Sequence, residues 1–76
     1  MAALKIVNDV YTVEMRQDHA DNQPFSKVTF VSYDDAVEYG AIQHDIEGYD
    51  VTVWHGDKFV SSVDWLPDGR KLVELN

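Results

Sequence analysis

The chain has 76 residues, of which 45% are hydrophobic and 12% aromatic, and it contains no cysteine. It carries 14 acidic and 6 basic side chains, a formal net charge of −8. This length predicts one domain over residues 1–76, and the absence of cysteine excludes disulfides, thiolate zinc sites and thiol nucleophiles. The excess of carboxylates argues against direct binding of nucleic acid, because affinity for phosphates comes mainly from Lys and Arg.

Two strands are predicted before the first helix. Residues 6–16 are rich in Val, Tyr and Thr, and their second half alternates apolar with polar side chains, which is typical of a strand. The polar segment 17–24 closes on a proline and predicts a loop between antiparallel strands. Residues 25–31 form the second predicted strand, with Val28 and Phe30 facing the core.

A helix is predicted from Tyr33 to about Ile46. Ser32 and Asp35 resemble a capping box with Asp in place of Glu, and Gly48 suits a left-handed terminator. At 100° per residue the side chains fall on three arcs. The first arc is predicted to face the sheet and holds Tyr33, Ala36, Val37, Gly40, Ala41 and His44. The second, here called the acidic row, holds Asp34, Glu38 and Asp45. The third holds Asp35, Tyr39, Ile42 and Ile46.

A hairpin is predicted in the second half of the chain. Residues 49–55 and 59–65 alternate in the strand pattern on either side of a two-residue Gly56-Asp57 loop. Pairing outward from this loop places two cross-strand pairs on opposite faces of the ribbon. These pairs are Val53 with Val60 and Trp54 with Phe59.

One face of this hairpin is predicted to be aromatic, while the other meets the helix. The aromatic face carries Trp54 and Phe59, and Val63 and Trp65 would add to it. Two explanations compete for such a face. It is either a self-association surface that completes an undersized core or a hot-spot patch for a foreign protein, where aromatic side chains are common.

The order strand, strand, helix, strand, strand predicts an α+β fold. We expect a four- or five-stranded, mostly antiparallel sheet with one helix packed on one of its faces. The fifth strand would be a short edge strand at residues 71–75, after a turn at 67–69.

The acidity of the chain is local. Residues 28–57 contain seven acids and no Lys or Arg, whereas both ends are nearly neutral. Soluble helices usually mix both signs, so this pattern favours an acidic row that imitates nucleic-acid phosphates; carboxylates at i and i+4 lie about 6 Å apart, near the phosphate interval. The alternative is a surface that is merely solvated. The predicted partner-binding residues are Asp34, Asp35, Glu38, Tyr39, Asp45, Glu47, Asp50, Trp54 and Phe59.

No catalytic, metal or cofactor site is predicted, and we interpret the chain as a protein that is not an enzyme. The histidines share no spacing that places two on one helical face, and the cluster of Asp18, His19 and Asp21 is interpreted as turn material. The glycines are scattered singly, which gives no phosphate-binding loop. Carboxylates are plentiful, but a domain this small offers little room for a shielded acid–base pair.

The sequence also predicts a cytoplasmic protein that contacts no membrane. No apolar stretch approaches transmembrane length. Residues 1–6 lack the basic region and apolar core of a secretory signal.

In type, the chain resembles the small acidic inhibitors that bacteriophages make against host machinery. These include anti-CRISPR proteins, DNA-mimic inhibitors of restriction enzymes or nucleoid proteins, and transcription inhibitors. The likeness lies in the length, the missing cysteines, the base-free segment 28–57 and the order of elements. It involves no shared motif, so no residue role is transferred. The nearly neutral ends differ from mimics that carry acids throughout and favour a mixed acidic and aromatic interface.

The resulting functional prediction is a non-catalytic, protein-binding inhibitor or modulator. It would present the acidic edge of the helix, and the Trp54 and Phe59 face, to a basic nucleic-acid-binding protein such as a host defence complex. In that setting it would act in the host cytoplasm. The alternative is a structural or accessory subunit that homodimerises or joins an assembly through the aromatic face, since a domain of this size is marginal on its own.

Overall fold

A computed structural model describes residues 10–18 and 21–76. Its five strands form one antiparallel sheet in the order β2-β1-β3-β4-β5, with the helix between β2 and β3 in the chain. The predicted α+β class and the fifth strand are confirmed, whereas His19 and the predicted strand residues 6–9 lie outside the described residues. The elements are β1 (Tyr11–Arg16), β2 (Ser26–Phe30), α1 (Tyr33–Asp45), β3 (Asp50–His55), β4 (Lys58–Trp65) and β5 (Lys71–Leu75).

The ends of α1 follow from local chemistry. Ser32 is the N-cap, and its hydroxyl accepts a hydrogen bond from the backbone N–H of Asp35 at 3.4 Å. This satisfies one of the helix's unpaired amide groups, as the capping pattern predicts. The helix ends at Asp45, three residues before Gly48, whose φ of 81° is accessible to glycine at little cost.

The core lies between α1 and the neighbouring strands β1 and β3. It consists of Val13, Met15, Ala36, Val51 and Val53, all at most 4% exposed. α1 packs against β1, β2 and β3 and leaves the same face of β4 and β5 largely uncovered. Because strands lie about 4.8 Å apart and a helix is about 10 Å wide, one helix cannot cover five strands.

Only half of the arc of α1 predicted to face the sheet is buried against it. Ala36, Gly40 and His44 are buried there. Tyr33, Val37 and Ala41 also face the sheet but stay exposed: Tyr33 packs edge-on against Tyr11 of β1, and Val37 and Ala41 line a pocket with strand valines. Since α1 lies over β1 to β3, the side of the helix that carries these residues overhangs the uncovered strands.

A β-bulge in β4 corrects the predicted hairpin pairing. Gly56 and Asp57 form the loop, and Trp54 pairs with Phe59, as predicted. Val53, however, pairs with Ser61, because Val60 is an extra residue at a register shift.

The same bulge moves two residues off the predicted aromatic face. Beyond Val60 the alternation of β4 is inverted, so Val63, which pairs with the buried Val51, lies on the helix-bearing face. Trp65 lies on that face too, with its ring 4.5 Å from the ring of His44 on α1. The aromatic pair on the open face, the sheet face away from α1, is therefore Trp54 and Phe59 alone.

α1 approaches the sheet closely at Gly40, where there is little room for a larger side chain. A Cβ added there would lie 3.1 Å from Val51 Cγ1 and 3.7 Å from Val13 Cγ1. We predict that Gly40→Leu lowers the free energy of unfolding by about 1–3 kcal/mol through overpacking, measured by urea denaturation. Ala41→Leu, at the exposed next position, is the control and should leave stability nearly unchanged. Equal losses in both variants would contradict the close approach.

Candidate functional site

The acidic row lies along the solvent side of α1. Asp34, Glu38 and Asp45 are all exposed, and their arc adjoins that of Val37 and Ala41. Within the described residues, neither Asp34 nor Glu38 has an ion-pair partner. The two side chains are helical i, i+4 neighbours, so their like charges repel each other. The row therefore presents an uncompensated negative charge at the amino-terminal half of the helix.

Asp45, at the other end of the row, is already paired. Lys71 Nζ lies 2.9 Å from Asp45 Oδ1 and also 5.2 Å from the centre of the Trp65 ring. The hydrogen bond from Lys71, followed by its charge, lowers the pKa of the Asp45 carboxyl below its ordinary value. This end of the row is neutralised within the chain.

The remaining predicted acids divide between surface and interior. Asp35 and Glu47 are exposed, in the first turn of α1 and in the turn after it. Asp50 is only 2% exposed, and its Oδ1 accepts a hydrogen bond from the backbone N–H of Trp65 at 2.8 Å. Asp50 begins β3, the central strand, where neighbours on both sides cover it. Its prediction as a partner-binding residue is therefore wrong: it is a structural carboxylate.

A groove runs between α1 and the helix-bearing face of β4 and β5. Here called the α1/β4–β5 groove, it has a volume of about 230 Å³ next to Lys71 and continues as a wider cleft towards Tyr33 and Leu75. The groove exists because α1 covers only three strands. Its apolar lining includes Val37 and Ala41 of α1 together with Val51, Val63 and Val73 of three adjacent strands.

His44 lines the closed end of this groove. Its Nδ1 lies 2.9 Å from the backbone oxygen of Tyr49, which can only accept, so Nδ1 carries the proton. The other ring nitrogen, Nε2, is buried and has no hydrogen-bond partner among the described residues. An unpaired buried polar atom costs about 1–3 kcal/mol, which makes it an unusual feature of a small core.

The open face of the sheet pairs its charges internally. Arg16 Nη2 donates to Thr52 Oγ1 at 2.9 Å and to Asp64 Oδ1 at 3.2 Å. Glu14 lies 3.4 Å from Lys27 Nζ and accepts the indole N–H of Trp54 at 2.8 Å. These contacts cross three strand pairs and hold the face together.

The aromatic residues predicted to bind a partner are engaged within the chain. Trp54 and Phe59 form an edge-to-face pair with ring centres 5.9 Å apart, and both are half-buried. Tyr39 lies 5.2 Å from the ring of Phe30 and packs against the core from the β2 side of the helix. The structure thus brings Trp54 and Phe59 together but separates them from the acidic row by the thickness of the sheet.

The described residues contain no group of three or more His, Asp or Glu side chains arranged to hold a metal ion. Nor does any helix in residues 10–18 and 21–76 have the length and apolarity needed to span a bilayer.

The sequence did not reveal the α1/β4–β5 groove. The signal that would have indicated it is the mismatch between one helix and five predicted strands, combined with apolar alternation in the last two. The arc that holds Ala36 and Gly40 also holds Val37 and Ala41, so periodicity predicts that all four face the sheet without indicating which of them are covered. Helical periodicity gives the angle of a side chain but not the lateral position of the helix on the sheet.

The Asp45–Lys71 pair can be tested by titration. We predict that Lys71→Gln raises the pKa of Asp45, as measured by ¹³C NMR of its carboxyl carbon. The control Lys58→Gln changes the net charge equally and should leave this pKa unchanged. Because the folded-state pKa is lowered, the pair stabilises the fold above the ordinary Asp pKa, and this contribution disappears as the pH falls through the lowered value. An unchanged Asp45 pKa in Lys71→Gln would show that the contact does not persist in solution.

No protein-family model, no curated protein and no solved structure matches the chain. Three features of the surface bear on the function of the protein. These are the unpaired carboxylates of α1, the apolar groove beside them, and the internally paired open face.

Proposed function

We propose that the protein is a non-catalytic inhibitor or modulator that binds a basic protein through the acidic edge of α1. The observation that carries this proposal is the unpaired state of Asp34 and Glu38. Three described bases, Arg16, Lys27 and Arg70, pair with acids outside α1. Among the bases in residues 10–18 and 21–76, Lys71 alone reaches the helix, at its far end.

The distribution of charge supports a foreign cation as the ligand. Like charges at i and i+4 destabilise a helix, and an exchange of one acid for Lys would relieve the repulsion between Asp34 and Glu38. The chain nevertheless has no base between residues 28 and 57. A cationic partner would compensate this local field, and the field would accelerate its association.

A nucleic-acid-binding protein is the partner class that fits these carboxylates best. Its binding surface holds Lys and Arg in a row that matches phosphate spacing, and carboxylates about 6 Å apart on a helix approximate that spacing. A protein that occupies such a surface excludes the nucleic acid, which makes inhibition the natural outcome. This proposal agrees with the resemblance in type to phage inhibitors of host defence complexes, and the host cytoplasm is the proposed site of action.

The aromatic pair of the open face has a secondary role in this proposal. Trp54 donates its indole N–H to Glu14, and the charges around it are paired. This face therefore lacks the unneutralised charge that distinguishes α1. The acidic edge of α1 is therefore the stronger candidate for the surface that binds the basic partner. Homodimerisation through the aromatic face stays a prediction.

The proposal predicts a position-specific effect of charge reversal. Asp34→Lys with Glu38→Lys should abolish capture of basic nucleic-acid-binding proteins from a lysate of the source cell or its host, as identified by mass spectrometry. Asp57→Lys with Glu74→Lys is the matched control, because both residues are exposed and the change in net charge is the same. The control should retain capture, and wild-type capture should weaken as salt is raised.

Two results would contradict this function. If both double variants capture the same proteins as the wild type, the carboxylates of α1 serve only to solvate the surface. If both variants lose capture equally, net charge rather than the acidic row determines binding.

A further inference from the structure

The α1/β4–β5 groove exposes a continuous apolar surface. Val37 is 37% exposed, Val73 is 53% exposed and Leu75 is 78% exposed. Val63 and Val73 are cross-strand neighbours on the helix-bearing face, so the floor is unbroken from β4 to the sheet edge. Contiguous apolar surface of this kind on a small acidic protein indicates an interaction site.

The dimensions of the groove favour a helix as its occupant. Two strands and their edge span about 10 Å, which is the diameter of one helix. A segment lying on a sheet face cannot pair its backbone with the strands beneath it, and a helix satisfies its backbone internally. Since α1 has 13 residues and crosses the same sheet, a ligand helix of about three turns matches it in length.

The charge of the rim determines which kind of helix fits. Asp34 and Glu38 follow the solvent side of the wall formed by Val37, so a helix in the groove places its flank beside two unpaired carboxylates. A second copy of this chain would bring another net charge of −8 against that rim. Coulomb repulsion therefore disfavours self-association, and a basic flank is favoured.

The other end of the groove carries no uncompensated charge. Lys71 is held there by Asp45 and lies over the Trp65 ring. The buried Nε2 of His44, which has no hydrogen-bond partner among the described residues, lies at the same end but is closed to a ligand. This end therefore contributes apolar contact rather than charge.

We propose that the α1/β4–β5 groove binds an amphipathic basic helix of the partner. The apolar stripe of that helix packs on Val37, Val63 and Val73, and its Lys or Arg side chains reach Asp34 and Glu38. This inference rests on the proposed function, because it specifies how a basic partner is held. It adds the apolar half of the interface, on the face of the sheet opposite Trp54 and Phe59.

A designed peptide tests the groove without knowledge of the partner. The probe is a fluorescein-labelled helix of Leu and Lys, about three to four turns long, with Leu at three- and four-residue spacing. One control peptide has the same composition in strict alternation, which removes the helical stripe. A second control replaces Lys by Glu. Binding to the full chain is measured by fluorescence anisotropy at physiological salt.

Two pairs of variants separate the groove from general attraction by charge. Val37→Arg places a charged side chain in the groove from α1. Its control, Ile42→Arg, is elsewhere on the same helix, and the exposure of the two native side chains is similar: 37% for Val37 and 43% for Ile42. Val73→Arg places a charged side chain in the groove from β5. Its control, Leu72→Arg, is on the open face; Val73 is 53% exposed and Leu72 is 42% exposed. All four variants change the net charge equally. Circular dichroism checks that each one folds.

The expected result is specific to position. Val37→Arg and Val73→Arg should each weaken binding of the Leu and Lys helix by about tenfold, as expected for loss of an apolar anchor, and both controls should bind like the wild type. Asp34→Asn with Glu38→Gln should weaken binding more than Asp35→Asn with Glu47→Gln. The alternating and Glu peptides should bind weakly to every variant.

The groove is not the binding site if the Leu and Lys helix binds each groove variant, Val37→Arg and Val73→Arg, as tightly as it binds the matched control. A dimer in light scattering that Val73→Arg converts to a monomer would also overturn the proposal, because the occupant would then be a second copy. These failures are distinguishable from failure of the proposed function. If lysate capture depends on Asp34 and Glu38 but each groove Arg variant binds the peptide like its control, the proposed function stands. Only the groove is then excluded as the binding site.

Discussion

The coverage of five strands by a single helix is the constraint on which the rest of this structure depends. α1 occupies the face of β1, β2 and β3 and has no width left for β4 and β5. The buried core is correspondingly small and lies where the helix touches the sheet. On the helix-bearing face beyond that contact, apolar side chains of β4 and β5 stay uncovered, which explains why valines on these strands form a groove instead of a core.

Charged side chains are paired differently on the two faces of the sheet. On the open face, Arg16 bridges to Thr52 and Asp64, and Lys27 pairs with Glu14. Lys27 meets an acid on the neighbouring strand, and Arg16 reaches across β3 to an acid on β4. On the helix-bearing side, Lys71 is the single described base that contacts α1, and it leaves the amino-terminal half of the acidic row unpaired. Negative charge and apolar surface therefore coincide beside the groove, a combination that suits a cationic amphipathic ligand.

One inserted residue in β4 decides which side chains belong to which face. The bulge at Val60 inverts the alternation, so Phe59 joins Trp54 on the open face while Trp65 stacks on His44 beneath the helix. Without it, both tryptophans would lie on one aromatic surface. With it, the two rings lie on opposite sides of the sheet, and Trp65 lies beneath Lys71, which lines the groove.

Much of the fold was determined by the sequence alone. The Gly56-Asp57 loop, the Ser32 cap, the Gly48 terminator and the alternation of the strands act over a few residues, so their signals are local. The base-free segment and the surface position of Asp34 and Glu38 were also predictable, because helical periodicity assigns them to one arc. Only the tertiary structure decided the lateral position of α1, the burial of Asp50, the capture of Asp45 by Lys71, and the bulge. Each of these depends on contacts between residues distant in the chain, and local periodicity contains no information about them.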